Sequence, residues 1–232
     1  MLGSALPAGV VIAELFDDPP DVELYPEEAA LVEHALDRRQ REFATVRLCA
    51  RTALRRLGVP PAPIVPVDGA PRWAARAPRW PDGVVGSMTH CAGYRAAAVA
   101  RSASVASVGV DAEPNVPLGH DVEGYVLLPE ERRAFQRLAA VRPDVAWDRL
   151  AFSAKESVYK AWYPLTGQWL DFTDCELDPD PDAGTFVAQL RKPGPVVDGV
   201  RVDRFTGWWR VGSAPVGQRL VATAVVVGRP TA

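Results

Sequence analysis

Four groups of residues in this chain have types and spacings suited to chemistry. Asp111 and Glu113 stand two apart at the end of an apolar run over residues 105–111. In a strand, positions i and i+2 share a face, so both carboxylates point the same way. Two like charges about 4 Å apart repel by about 4 kcal/mol at an effective dielectric of 20, so a partly buried pair calls for a cation. Mg²⁺ suits such a pair, because it uses one or two carboxylates together with phosphate oxygens and water. That chemistry is phosphoryl transfer. The alternative is a solvated Asp-x-Glu ahead of Pro114.

The second group is Ser153, Glu156 and Lys160, spaced i, i+3 and i+7 on one face of a helix predicted over 148–162. Glu156 offers a third carboxylate and Lys160 a cation for a phosphate oxygen. Lys155, about 100° around the helix from Glu156, reaches the edge of the same pocket. Ser153-Ala154-Lys155-Glu156 also reads as a capping box, and Glu156 with Lys160 as a surface pair. The third group, Gly86-Ser87-Met88-Thr89-His90, offers hydroxyls, an imidazole and backbone amides to an anion. A turn histidine is equally a structural residue. The fourth is a basic stripe, Arg39, Arg47, Arg51 and Arg55, able to grip phosphate with guanidinium forks or to lie solvated on a helix face.

These groups need elements to position them. Residues 26–57 read as one or two helices, with Leu31, Val32, Ala35, Leu36, Phe43, Val46, Ala50 and Leu54 as the apolar stripe and Gly58 as the stop. Residues 60–82 are Pro-rich and read as loop or short strands. Strands are predicted over 84–88, 96–99 and 105–111, with 89–93 as the first turn. Helices follow over 129–140 and 148–162, the latter ended by Pro164. The last third reads as strands over 185–190, 207–211 and 220–227. Strands flank helices without strict alternation, which predicts α+β.

Composition sets outer bounds. The 232 residues suffice for one large domain or two small ones, and 48% hydrophobic with 24% charged is globular. A net charge of −3 argues against a general nucleic-acid binder, which needs a basic face. Cys49, Cys91 and Cys175 are odd in number and far apart, so neither a disulfide framework nor a zinc knuckle is expected. The apolar start lacks a basic leader segment and contains Pro7, and no run of about 18 apolar residues occurs, so a cytoplasmic protein with no membrane association is expected.

Taken in order, the motifs resemble one family. Arg39, Glu42-Phe43 and Arg47 come first, then Gly69-Ala70-Pro71 and Gly86-Ser87-Met88-Thr89-His90-Cys91. Val108-Gly109-Val110-Asp111-Ala112-Glu113 follows, and last the run from Trp147 to Trp162 with its Phe-Ser-Ala-Lys-Glu-Ser-x-x-Lys-Ala-Trp pattern. Together they resemble the Sfp-type 4′-phosphopantetheinyl transferases, especially those of actinomycete secondary metabolism, over nearly the whole chain.

The resemblance implies transfer of the phosphopantetheine arm of coenzyme A to a serine of apo acyl or peptidyl carrier proteins of fatty acid, polyketide or nonribosomal peptide synthesis. Adenosine 3′,5′-bisphosphate is the other product. It implies a monomeric pseudo-dimer of two similar α+β halves, with the active site between them. Residues 1–110 would form the N-terminal half that binds the adenosine and 3′-phosphate. Residues 111–232 would carry the metal site and the catalytic helix. Asp111, Glu113 and Glu156 would hold Mg²⁺, or Mn²⁺ in its place, against the CoA pyrophosphate, and Lys160 would contact that pyrophosphate. Arg39, Arg47, Thr89 and His90 would bind the adenosine end, Ser87 and Lys155 would line the pocket, and Leu170 would pack near the pantetheine arm. Glu156 would take the serine proton, with a neutral Lys155 as the second candidate. Relatives often carry a lysine by the Gly-x-Pro turn; here Arg72 or Arg76 would replace it. The segment 115–133 would flank the cleft, with Tyr125, Val126, Leu127 and Leu128 toward the carrier. A CoA-using transferase with no carrier substrate and a non-catalytic scaffold are the competing classes.

Overall fold

The computed structural model describes residues 1–3, 6–75, 77–215 and 217–229, the side chains of Trp73 and His120 excepted. Arg76 lies outside the described residues. The first part of the chain forms β1 (Val10–Leu15), α1 (Pro26–Ala30), α2 (Asp37–Arg56), β2 (Val84–Cys91) and β3 (Tyr94–Arg101). The second forms β4 (Val105–Pro114), α3 (His120–Val126), α4 (Pro129–Val141), α5 (Trp147–Thr166), β5 (Cys175–Asp180), β6 (Thr185–Leu190), β7 (Val196–Val197), β8 (Val200–Arg201), β9 (Arg204–Ser213) and β10 (Arg219–Gly228). The three-stranded antiparallel sheet has the order β1-β3-β2, the five-stranded one has the order β4-β10-β9-β6-β5, and β7 pairs with β8.

Small residues set the layering. Cys49, Ala50, Ala53 and Leu54 of α2 pack on Ala13, Ala97 and Val99. On the opposite face of that sheet, Ala96, Ala98 and Ala100 meet Val108, Val110 and Ala112 of β4 and Leu220, Ala222 and Ala224 of β10. The far face of the larger sheet is covered by α5, through Leu150, Ala151, Ala154, Val158, Ala161 and Trp162. The result is helix, sheet, sheet, helix: an α+β fold. Each half runs strand, proline-opened helix, 20-residue helix, then antiparallel strands, with α3 added in the second half before its proline-opened helix, which is the two-halves pattern expected. β4 belongs to the second sheet over its whole length, so the two larger sheets divide at the turn before Val105.

The seam between the sheets is made by side chains. Ser87 Oγ accepts from Val110 N at 3.0 Å, and Thr89 Oγ1 accepts from Ala112 N at 3.1 Å. Two hydroxyls of β2 thus satisfy N–H groups of β4 that face away from β10, and the β4 edge is closed. On the other side, a Cβ on Gly109 would lie 1.9 Å from Ser157 O, so α5 rides directly on the β4 backbone. Ser153, Ser157 and Thr223 complete this contact with hydroxyl bonds of 2.7–2.9 Å.

Three boundaries differ from expectation. β2 continues to Cys91, leaving only Ala92 and Gly93 as the turn, with Gly93 at φ 74. α5 passes through Pro164 and stops at Gly167, which is left-handed at φ 63. One proline in the last turn removes a single donor, and the last turn also carries a bond from Thr166 Oγ1 to Trp162 O at 3.1 Å. The apolar start is a strand, β1, paired with β3.

Candidate active site

β4 and α5 build the centre of the site. Asp111 lies on β4 and is 5% exposed. Its Oδ1 accepts from Lys160 Nζ at 2.7 Å and from Thr89 Oγ1 at 3.3 Å. Its Oδ2 is buried with no hydrogen-bond partner. Lys160 Nζ also donates to Val110 O at 3.1 Å. Two residues along β4, Glu113 accepts from Arg149 Nη1 at 3.2 Å. Arg149, Glu156 and Lys160 are spaced i, i+7 and i+11, one stripe of α5. One cation of this stripe stands against each β4 carboxylate, and Glu156 lies between the two cations along the helix.

The Asp111 charge is felt by both of the other acids. Burial raises the Glu113 carboxyl and the Asp111 charge raises it further, while Arg149 opposes both. Burial also raises Glu156; Lys160 pulls it back and Asp111 pushes it up. A buried carboxylate oxygen with no donor, beside two acids held above their usual range, fits a divalent cation. The spacing is looser than a finished site, since no three His, Cys, Asp or Glu side chains cluster as metal ligands among the described residues.

A second cluster forms where α2 meets the end of β2. Arg39 Nη1 lies 2.6 Å from His90 Nε2, and Glu42 Oε2 is 3.8 Å from the former and 3.9 Å from the latter. Burial, then Arg39, pushes the His90 imidazole down to about 4, so Nε2 acts as an acceptor. Arg47, two turns beyond Arg39, stacks 3.6 Å above the Phe43 ring and donates to Ile64 O at 3.2 Å. Its Nε is buried without a partner, and burial brings the guanidinium down to about 10. This is a half-sheltered basic surface with an unused donor, the kind of place a phosphate occupies.

Several expected site residues sit elsewhere. Strand alternation puts Thr89 on the Asp111 side and His90 on the α2 side, so Thr89 joins the carboxylates and not the adenosine-end cluster. Ser87 is 4% exposed and spent on Val110 N, so it belongs to the seam and not to a pocket wall. Lys155 points away from Asp111: its Nζ donates to Glu131 Oε2 at 2.7 Å, Val126 O at 2.9 Å and Phe172 O at 2.9 Å. All three donors are thus turned into the fold, away from the carboxylates of β4. Ser153 is not a helix cap but a buried mid-helix residue, and Lys160 pairs with Asp111 rather than with Glu156. Arg51 is likewise buried, paired with Glu28 at 3.1 Å. Val126, Leu127 and Leu128 are core, while Tyr125 is 78% exposed. Arg149, Glu42 and Arg95 enter the site unforeseen; Arg95 holds Asp18 at 2.7 Å behind Glu42.

A cleft of about 230 Å³ opens beside Glu156, walled by Tyr159, Trp169, Leu170 and Phe172 with the stem of Lys155 at its base. It is narrow and partly apolar, and Leu170 is 5% exposed within it.

Comparison with known proteins bears on this geometry. Residues 27–100 match the model of the 4′-phosphopantetheinyl transferase N-terminal domain, and residues 107–204 that of the 4′-phosphopantetheinyl transferase superfamily. The chain is 56% identical over 233 residues to 4′-phosphopantetheinyl transferase Svp of Streptomyces mobaraensis, covering 99% of this chain and 90% of that one. It is 43% identical over 235 residues to 4′-phosphopantetheinyl transferase PptT of Mycobacterium tuberculosis, covering 98% of each. It is 42% identical over 219 residues to 4′-phosphopantetheinyl transferase Npt of Nocardia iowensis, covering 91% of this chain and 95% of that one. With Asp111, Glu113 and the α5 stripe falling inside the second matched segment, the chain belongs to the 4′-phosphopantetheinyl transferase family.

Proposed function

We propose that this enzyme transfers the 4′-phosphopantetheine arm of coenzyme A to a serine hydroxyl of an apo acyl or peptidyl carrier protein, releasing adenosine 3′,5′-bisphosphate. The serine oxygen forms a bond to the β-phosphorus as the bridging P–O bond breaks, and the serine proton passes to the protein. The observation that carries this reading is the Asp111 carboxylate, buried with Oδ2 unpaired and Lys160 on Oδ1.

Asp111, Glu113 and Glu156 would hold Mg²⁺, or Mn²⁺ in its place. The bound ion would draw negative charge from the pyrophosphate. Lys160 stands where it can meet a pyrophosphate oxygen as its hold on Asp111 relaxes. Glu156 takes the serine proton, because burial has raised its affinity for one. The N-terminal half supplies the adenosine-end contacts through Arg39, Arg47 and His90, with Arg72 in place of the usual lysine. The pantetheine arm lies along the cleft at Leu170. Tyr125 faces the carrier. The enzyme works as a cytoplasmic monomer; among the described residues no helix is long and apolar enough to cross a membrane.

The test is intact-mass spectrometry of an apo carrier protein incubated with this enzyme, CoA and Mg²⁺. A gain of one phosphopantetheine, abolished by EDTA, is the expected result. An unchanged carrier mass would refute the proposal, and modification undiminished by EDTA would refute its metal.

A further inference from the structure

Arg149 joins three groups through one side chain. Its Nη1 donates to Glu113 Oε2 at 3.2 Å, its Nε to Val116 O at 3.0 Å and its Nη2 to Pro117 O at 3.4 Å. Its side chain is 20% exposed and that of Glu113 is 23% exposed, so the pair is partly shielded from water. The neighbouring residue Asp148 accepts from Leu118 N at 2.7 Å, and Asn115 bridges Asp144 O and Ala146 N. The loop after β4 is therefore strapped to the start of α5 by several bonds, but within that strap it is Arg149 that extends to a carboxylate of the site.

We propose that Arg149 is the positioning residue of the metal-binding carboxylates: it fixes the orientation of Glu113 by anchoring one of its oxygens to the strapped loop 116–117, leaving the other oxygen for the cation. The inference rests on the metal reading given above. Planarity is essential, since three donors of one rigid fork must meet a carboxylate and two carbonyls at once, and an ammonium presents no such plane. Residues that orient a ligand from behind in this way typically matter to metal affinity by about 10–100-fold.

The experiment is Mn²⁺ titration followed by electron paramagnetic resonance, on the full chain with no CoA present, for the parent, Arg149→Met, Arg149→Lys, Glu113→Gln and the Arg149→Met/Glu113→Gln double variant. Arg149→Met should weaken Mn²⁺ binding by about tenfold, with Arg149→Lys intermediate. In the Glu113→Gln background the same change should have no further effect, because the residue acts only through Glu113. Melting temperatures identify any variant that fails to fold, and Arg149→Lys, which keeps the charge, then carries the comparison. Equal Mn²⁺ affinity in folded Arg149 variants, or an equal loss in both backgrounds, overturns the proposal while leaving the metal reading intact. A parent that binds no Mn²⁺ overturns both. The apparent Mg²⁺ constant in carrier modification should rise in step, with the KM for CoA unchanged.

Discussion

Glu28 and Glu131 stand at matching places in the two halves, each two residues after a proline that opens a helix and each facing a cation from the long helix that follows. Glu28 accepts from Arg51 on α2 at 3.1 Å, and Glu131 from Lys155 on α5 at 2.7 Å. Each carboxylate also accepts from the backbone at its own helix start, Tyr25 N or Leu128 N, and from a later segment, Ile64 N or Leu177 N. The same buried pair thus pins the short helix, the long helix and the chain beyond it, once per half.

Removing one partner of a buried, hydrogen-bonded pair leaves an uncompensated charge. Lys155→Met should lower unfolding free energy by about 3–5 kcal/mol. Urea denaturation measures this. A stability equal to the parent would mean that the pair is not a structural anchor.

Gly109 sets the distance between the two parts of the site. A methyl group there meets Ser157 O and must push α5 off β4. Gly109→Ala should cost about 1–3 kcal/mol by overpacking, and it should lose activity in the folded protein, because Lys160 and Glu156 move away from Asp111. Ala106, also on β4, serves as the control position for a conservative change. Full activity of Gly109→Ala would show that the site tolerates a looser helix seat.

Asp111→Ala should reduce carrier modification by about 10²–10³-fold. CoA affinity, read by calorimetry, should change far less, because the basic cluster of α2 is built on other residues. A variant as active as the parent would remove Asp111 from the chemistry.

His90 gives a pH signature. Its imidazole is held down to about 4 in the fold, against 6.5 for a histidine in an open chain. Between those values the unfolded chain takes up a proton that the folded one refuses, so acid favours unfolding and this contribution to stability is lost as pH falls from 6.5 to 4. The parent should therefore lose more melting temperature than His90→Asn across that window. Parallel curves would contradict it. The same variant should raise the KM for CoA with little change in kcat.

The α+β class and the faces shared by the charged residues were legible in the sequence. Strand alternation placed Asp111 and Glu113 on one face, and the 3.6-residue period placed Glu156 and Lys160 on one stripe; both periods are local and need no knowledge of the fold. The sequence misjudged residues whose roles depend on what lies across from them. Ser87 and Thr89 look like an anion-binding turn because Gly, Ser, Thr and His cluster there, yet β2 runs on through them and alternation sends Thr89 and His90 to opposite faces. Had the strand been extended to Cys91, their separation would have been legible. Lys155 beside Glu156 reads as catalytic, but only Glu131 on another helix decides which way its ammonium turns. The tetrapeptides Tyr25-Pro26-Glu27-Glu28 and Leu128-Pro129-Glu130-Glu131, with a buried cation 23 and 24 residues after the second glutamate, were the visible trace of the likeness between the halves.

The pairing of β4 with β10 also governs when the enzyme can first work during synthesis. Asp111 is held at its place by a register that sets it opposite Thr223, on the last of the described strands. On a ribosome, the first half can collapse early, but β4 has no strand partner in its sheet until β10 emerges. Activity therefore arrives late and all at once, and truncation within β10 should yield a chain without a site rather than a weakened enzyme.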